Sequence, residues 1–118
     1  MRHPRRSVRL RIWDILNAIE TARLAVGDLS LAQVEADPIR RFAAERAIEI
    51  ISEASRHIPD DLKSKAEHLP WRQIEAIGNV LRHGYDMVNA EIIWKLARED
   101  LIPLEDFARL LMADLESR

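Results

Sequence analysis

The chain has no cysteine, only three glycines, one tyrosine and two phenylalanines among 118 residues. The missing cysteine removes disulfide frameworks, thiolate zinc sites and thiol nucleophiles together, and fits a reducing cytoplasm. The scarce glycines form neither a phosphate-cradling loop nor a Gly-x-Ser-x-Gly elbow, which removes P-loop and serine-hydrolase chemistry. Acidic and basic residues nearly balance at a formal charge of −2. A globally basic nucleic-acid coat is thereby excluded, and any RNA or DNA contact has to come from a local patch. No stretch approaches the roughly 20 apolar residues of a membrane helix, and the N-terminus lacks the apolar segment of a secretory signal. The expectation is a soluble, cytoplasmic protein with no membrane contact, in one domain spanning 1–118.

What is present favours helix almost everywhere: Ala, Leu, Ile, Glu and Arg are abundant, and period-two alternation is absent. A first helix is expected from an N-cap at Ser7 to about Gly27, with Val8, Ile12, Ile15, Leu16 and Ile19 forming one apolar stripe. The preceding residues, 1–6, read as a flexible basic tail. With Arg9 and Arg11 they place five arginines ahead of Asp14, either a solvated tail or a phosphate-binding arm. Ser30-Leu31-Ala32-Gln33 has the capping-box pattern and predicts a short helix. Asp37-Pro38 reads as N-cap and first residue of the longest helix, with Ile39, Phe42, Ala43, Ala47, Ile50, Ile51 and Ala54 inward and Arg40, Arg41, Glu45, Glu49 and Glu53 solvated. Asp60-Asp61 predicts an acid-capped turn, Pro70 the first residue of a helix ending at Gly84, Asn89 the cap of another, and Pro103 the start of a last one carrying Leu104, Phe107, Leu111 and Leu115. Long helices joined by short turns predict an all-α protein, an antiparallel up-and-down four-helix bundle with extra short helices.

The chemistry concentrates at Arg82-His83-Gly84-Tyr85. Metal-independent RNA cleavage needs a base near the ribose 2′-hydroxyl, an acid for the leaving oxygen and a cation for the charge building on phosphorus. Histidine, with an unperturbed pKa of about 6.5, serves the first two needs, and the planar guanidinium of arginine serves the third. His83 and Arg82 are the candidate catalytic pair. Asn79, one helical turn earlier, reaches either residue and is the candidate support; Arg72 lies at nearly the same angle as His83 but about 16 Å along the axis. The same residues also fit a plainer part, satisfying carbonyls and complementing the dipole at a helix end. No histidine pairs with a second ligand at metal-binding spacing, so neither a metal nor a cofactor is expected. Trp13, Trp71 and Trp94 read as core or interface anchors.

The segments 43–54 (AAERAIEIISEA), 70–74 (PWRQI), 78–85 (GNVLRHGY), Ile93-Trp94 and 100–104 (DLIPL) resemble the HepT-like family of the HEPN superfamily, in the family's order and over nearly the whole chain. The resemblance implies a small helical, dimeric protein and a ribonuclease toxin, metal-independent and encoded with a minimal nucleotidyltransferase antitoxin, a type VII toxin–antitoxin pair. It implies RNA as substrate, His83 as the motif histidine and Tyr85 as the tyrosine that the transferase adenylylates. The family motif sets four to six residues between an arginine and the histidine. The matching positions are Ala76, Ile77 and Gly78, none basic, while the asparagine that follows the arginine is matched by Asn79. The alternative expectation is a catalytically degenerate HEPN protein that binds a nucleotidyltransferase or RNA without cutting it.

Overall fold

The structure, a computed structural model, describes residues 4–84 and 86–117. Proline is tolerated in a first helical turn, where its missing N–H would have no partner. α1 accordingly runs Pro4–Val26, opening one turn ahead of the expected Ser7 cap, and stops at Gly27 (φ 54°), whose N–H reaches the Arg23 carbonyl at 2.7 Å. Residues 1–3 of the expected basic tail lie outside the described residues; residues 4–6 belong to α1. The capping box forms as read: the Ser30 hydroxyl accepts from the Gln33 N–H, and the Gln33 side chain accepts from the Ser30 N–H, opening α2 (Leu31–Glu35). Asp37 caps α3 (Pro38–Arg56) by accepting from the Arg40 N–H, with Pro38 in the first turn.

α4 (Asp60–Lys63) carries its two aspartates in its first turn and passes into the 3-10 turn Ser64–Ala66. α5 (Trp71–His83) takes Pro70 as N-cap rather than first residue. α6 (Asp86–Lys95) widens into the π-helical turn Leu96–Asp100, and α7 (Ile102–Glu116) follows with Pro103 in its first turn. Among the described residues there is no strand, and no helix is long and apolar enough to cross a membrane.

The long helices alternate in direction. α1 and α3 are antiparallel, with Arg40 donating to the Ala25 carbonyl at one end and Arg11 near Glu53 at the other. Ser52 of α3 donates to the Glu75 carbonyl of α5 at 2.8 Å, while Glu45 sits near the far end of α5. Arg23 of α1 pairs with Glu105 of α7 at 2.6 Å, and Leu10 and Trp13 share a cleft with Met112 and Glu116. The core runs from Ile12, Ile15 and Ile19 through Ile48 and Ile51 to Ile93 and Leu104.

α3 packs between α1 and α5, so its covered arc is the small-residue one, Ala44, Ala47, Ile48, Ile51, Ser52, Ala54 and Ser55. This corrects the expected heptad: Ile39 and Phe42 are 82% and 55% exposed, Ala43 is exposed and Ile50 only half-buried. The same rotation buries Arg41, expected to be solvated, and its guanidinium donates to the Glu35 carbonyl at 2.9 Å. Glu45 and Glu49 are half-buried rather than solvated. Trp71 and Trp94 are half-buried anchors whose indole N–H groups donate to Ala66 and Leu29 carbonyls; Trp13 stays largely in solvent.

The bidentate hydrogen bond from Arg23, reinforced by Arg109, holds the Glu105 carboxyl below its ordinary value of 4.5. A carboxyl depressed in the folded state adds stability above its unfolded pKa and loses that contribution as pH falls through the folded value. Glu105→Gln is expected to cost about 1–2 kcal/mol at pH 7 and almost nothing once the wild-type carboxyl is protonated. Thermal melts of both proteins from pH 7 down to pH 3 check this, and parallel curves would refute it.

Candidate functional site

α5 presents different faces to α3, to a groove and to solvent, as its sequence at about 100° per residue dictates. Gly78 and Leu81 are buried against α3. Ser52 fixes the approach: its hydroxyl accepts from the Gly78 N–H at 3.2 Å, and a Cβ at position 78 would stand 3.1 Å from that oxygen. Ile74, Ile77 and Val80 form a second face over an apolar groove of about 750 Å³, floored by Ile48, Ile51 and Leu104. Arg72, Ala76, Asn79, Arg82 and His83 form the third, and all five are exposed.

Arg82 and His83 therefore stand in solvent in the last turn of α5, with no hydrogen bond or ion pair among the described residues. Asn79 shares their face and makes no hydrogen bond to either. Arg72 lies at the other end of the helix, on a cleft of about 420 Å³ with Asp60, Lys63, Ser64, Glu67, Trp71 and Glu75, where Lys63 pairs with Glu75 at 2.9 Å. Asn79, Arg82 and His83 thus stand exposed in the last two turns of α5 with no hydrogen bond among them, and Arg72 stands at the opposite end of the helix. Tyr85 lies outside the described residues.

Gly84 ends α5 as expected, but in extended backbone (φ −88°, ψ 166°) rather than the left-handed cap usual for glycine. The reason for glycine is close approach: a Cβ there would collide with Oδ1 of Asn89. Asn89 itself corrects the reading of it as a helix cap. It sits in the fourth position of α6, 3% exposed, and its amide nitrogen donates both to the Leu81 carbonyl and to Glu45 Oε1, each at 2.7 Å. One side chain thus ties the C-terminal turn of α5 to α3 and α6. Spacing gave no sign of it, because its partners lie 8 and 44 residues away.

Among the described residues no group of three His, Cys, Asp or Glu is placed to hold a metal ion. A second histidine is held by a carboxylate: His57 Nε2 lies 3.2 Å from Glu53, and that hydrogen bond holds the Glu53 carboxyl below its usual value. Both groups are exposed, a common arrangement for an i,i+4 helix pair.

A family pattern described as "Ribonuclease HepT-like" matches residues 15–111. The chain belongs to the HepT-like ribonuclease family. It is 34% identical over 101 residues to a Thermococcus cleftensis protein named "Probable ribonuclease HepT", covering 86% of this chain and 92% of that protein. It is 31% identical over 97 residues to a Methanocaldococcus jannaschii protein named "Putative RNase MJ1380", covering 82% and 89%. No solved structure matches the chain. α5 ends in His83, the histidine the expected motif would use, and the three positions that motif leaves for an arginine differ in burial: Gly78 is buried against α3, Ile77 is half-buried over the apolar groove, and Ala76 is exposed while also lining that groove.

Proposed function

We propose that this HepT-like protein is a metal-independent endoribonuclease toxin acting as a homodimer, with His83 as acid and base, Arg82 as phosphate ligand and Asn79 in support. The observation that carries the reading is the exposure of Arg82 and His83 on one helix end, without partners among the described residues. A guanidinium that meets no carboxylate among the described residues keeps its donors for phosphate, and an exposed imidazole is open to a ligand. The exposed Val80 and half-buried Ile77 beside that face supply an apolar surface for a second copy, which would bring two motif helices, and the distant Arg72 of one, around a shared cleft. Val80→Glu would then leave a monomer by light scattering; an unchanged dimer would move the interface elsewhere.

In this reading a minimal nucleotidyltransferase antitoxin silences the toxin by adenylylating Tyr85, adding charge and bulk beside the phosphate site. A mass gain with the transferase and ATP that persists in Tyr85→Phe would remove Tyr85 as acceptor. The activity itself is tested by incubating bulk RNA and tRNA with the protein in EDTA. Wild type is expected to cleave and His83→Ala to lose at least about a hundredfold, the usual weight of an acid–base group. Equal cleavage by both would end the assignment.

One observation favours a second reading. A Cβ at Gly78 would stand 3.1 Å from the Ser52 hydroxyl, so a side chain at that motif position is crowded by Ser52. A protein that binds RNA or a transferase without cutting would show the opposite result in the same assay: intact RNA, with affinity retained.

A further inference from the structure

Two turns of α3 expose Ile39, Phe42 and Arg46 at i, i+3 and i+7 spacing, one stripe on the outer side of the helix. Arg46 keeps 73% of its side chain in solvent and has only a 4.0 Å contact with Glu49. Phe42 is unusual among the exposed apolar residues because one side of its ring is backed. The Arg41 guanidinium sits 5.1 Å from the ring centroid, and that guanidinium is itself buried and hydrogen-bonded to the Glu35 carbonyl. A ring pinned on its inner face presents its outer face at little entropic cost.

The stripe is linked to the motif helix through its neighbour Glu45. Glu45, one turn beyond Phe42, accepts from Asn89, and the same amide donates to Leu81 in the turn that carries Arg82 and His83. Ring and guanidinium stand one turn apart, about 6 Å along the axis. Exposed aromatics of this kind stack on any unpaired base, while duplex RNA hides its base faces.

We infer that Phe42 and Arg46 form a nucleotide subsite beside the motif, Phe42 stacking one unpaired base and Arg46 holding its phosphate, so that the substrate is single-stranded RNA. The inference rests on the proposed ribonuclease site for the placement of the scissile bond, and on the stripe alone for binding. Stacking contributes enough per base that losing the ring weakens affinity about 5- to 100-fold. The guanidinium adds salt dependence.

The test measures anisotropy of a labelled unstructured RNA and a duplex of equal length on full-length His83→Ala protein, with cleavage by wild type followed separately. The single strand is expected to bind more tightly than the duplex. Phe42→Ala should erase most of that preference, Phe42→Trp restore it, and Arg46→Gln weaken binding while flattening its salt dependence. Unchanged affinity in both Phe42→Ala and Arg46→Gln overturns the subsite, even if wild type cleaves RNA. Weakened binding in those variants with no cleavage by wild type keeps the subsite and removes the nuclease. If Ile39→Ala and Phe42→Ala change the oligomeric state while RNA affinity stays fixed, the stripe is a protein interface and the inference falls.

Discussion

Replacing Asn89 by alanine is expected to cost the fold about 3 kcal/mol, seen as a fall in Tm of about 10 °C. The change deletes two 2.7 Å hydrogen bonds, one to a carboxylate, and leaves the Leu81 carbonyl without its side-chain donor in a buried place. Truncation beside Gly84 adds the loss of contacts that the close approach provides. Asn89→Asp should be worse than alanine at neutral pH, because a carboxylate would face Glu45 and a carbonyl with no proton to offer. It should recover as acidification supplies that proton. The C-terminal turn of α5 would also exchange its amide hydrogens faster, since α6 no longer ties it down. A Tm within about 2 °C of wild type in both variants would show that the amide is incidental.

Ala76→Arg and Gly78→Arg, two ways of restoring an upstream cation, are expected to diverge sharply. Ala76 lies seven residues before His83, within about 20° of it around the helix, whereas Gly78 lies about 140° away. Ala76 is exposed, so an arginine there should leave stability within about 0.5 kcal/mol. It should also raise RNA cleavage about 10- to 100-fold by adding a phosphate donor on the His83 face. Gly78→Arg crowds the Ser52 side chain and replaces a buried glycine with a charged side chain, at an expected cost of about 1–3 kcal/mol. Chemical denaturation and initial cleavage rates separate the two. A stable, faster Gly78→Arg beside an inert Ala76→Arg would mean that α5 is turned the other way toward its substrate.

The all-helical bundle, the capping box at Ser30, the Asp37 cap and the Pro103 restart were legible because each depends on residues within one helical turn of one another. Family membership was legible from segments in order, and residues 15–111 bear it out. What the sequence hid depends on partners distant along the chain. Ile39 and Phe42 look like core by spacing, and only the position of α3 between α1 and α5 turns them outward. Arg41 looks like a surface charge, and the end of α2 turns it inward. Asn89 looks like a cap because asparagine so often is one, yet its amide serves a helix eight residues upstream. Gly78 was read only as a position lacking arginine, and the close approach of Ser52, 26 residues away, supplies a physical reason for a residue without a Cβ there.

The central claim is that the exposed polar face at the end of α5 is where RNA meets this protein. Amide and imidazole NMR shifts of the full-length His83→Gln protein and of wild type, titrated with a short single-stranded RNA in EDTA, test it most directly. The account predicts the largest perturbations in wild type at Asn79, Arg82 and His83, with smaller ones along Phe42 and Arg46, and a titration at Arg82 that survives in His83→Gln. Saturating shifts confined to other surfaces, with α5 unmoved, would contradict it.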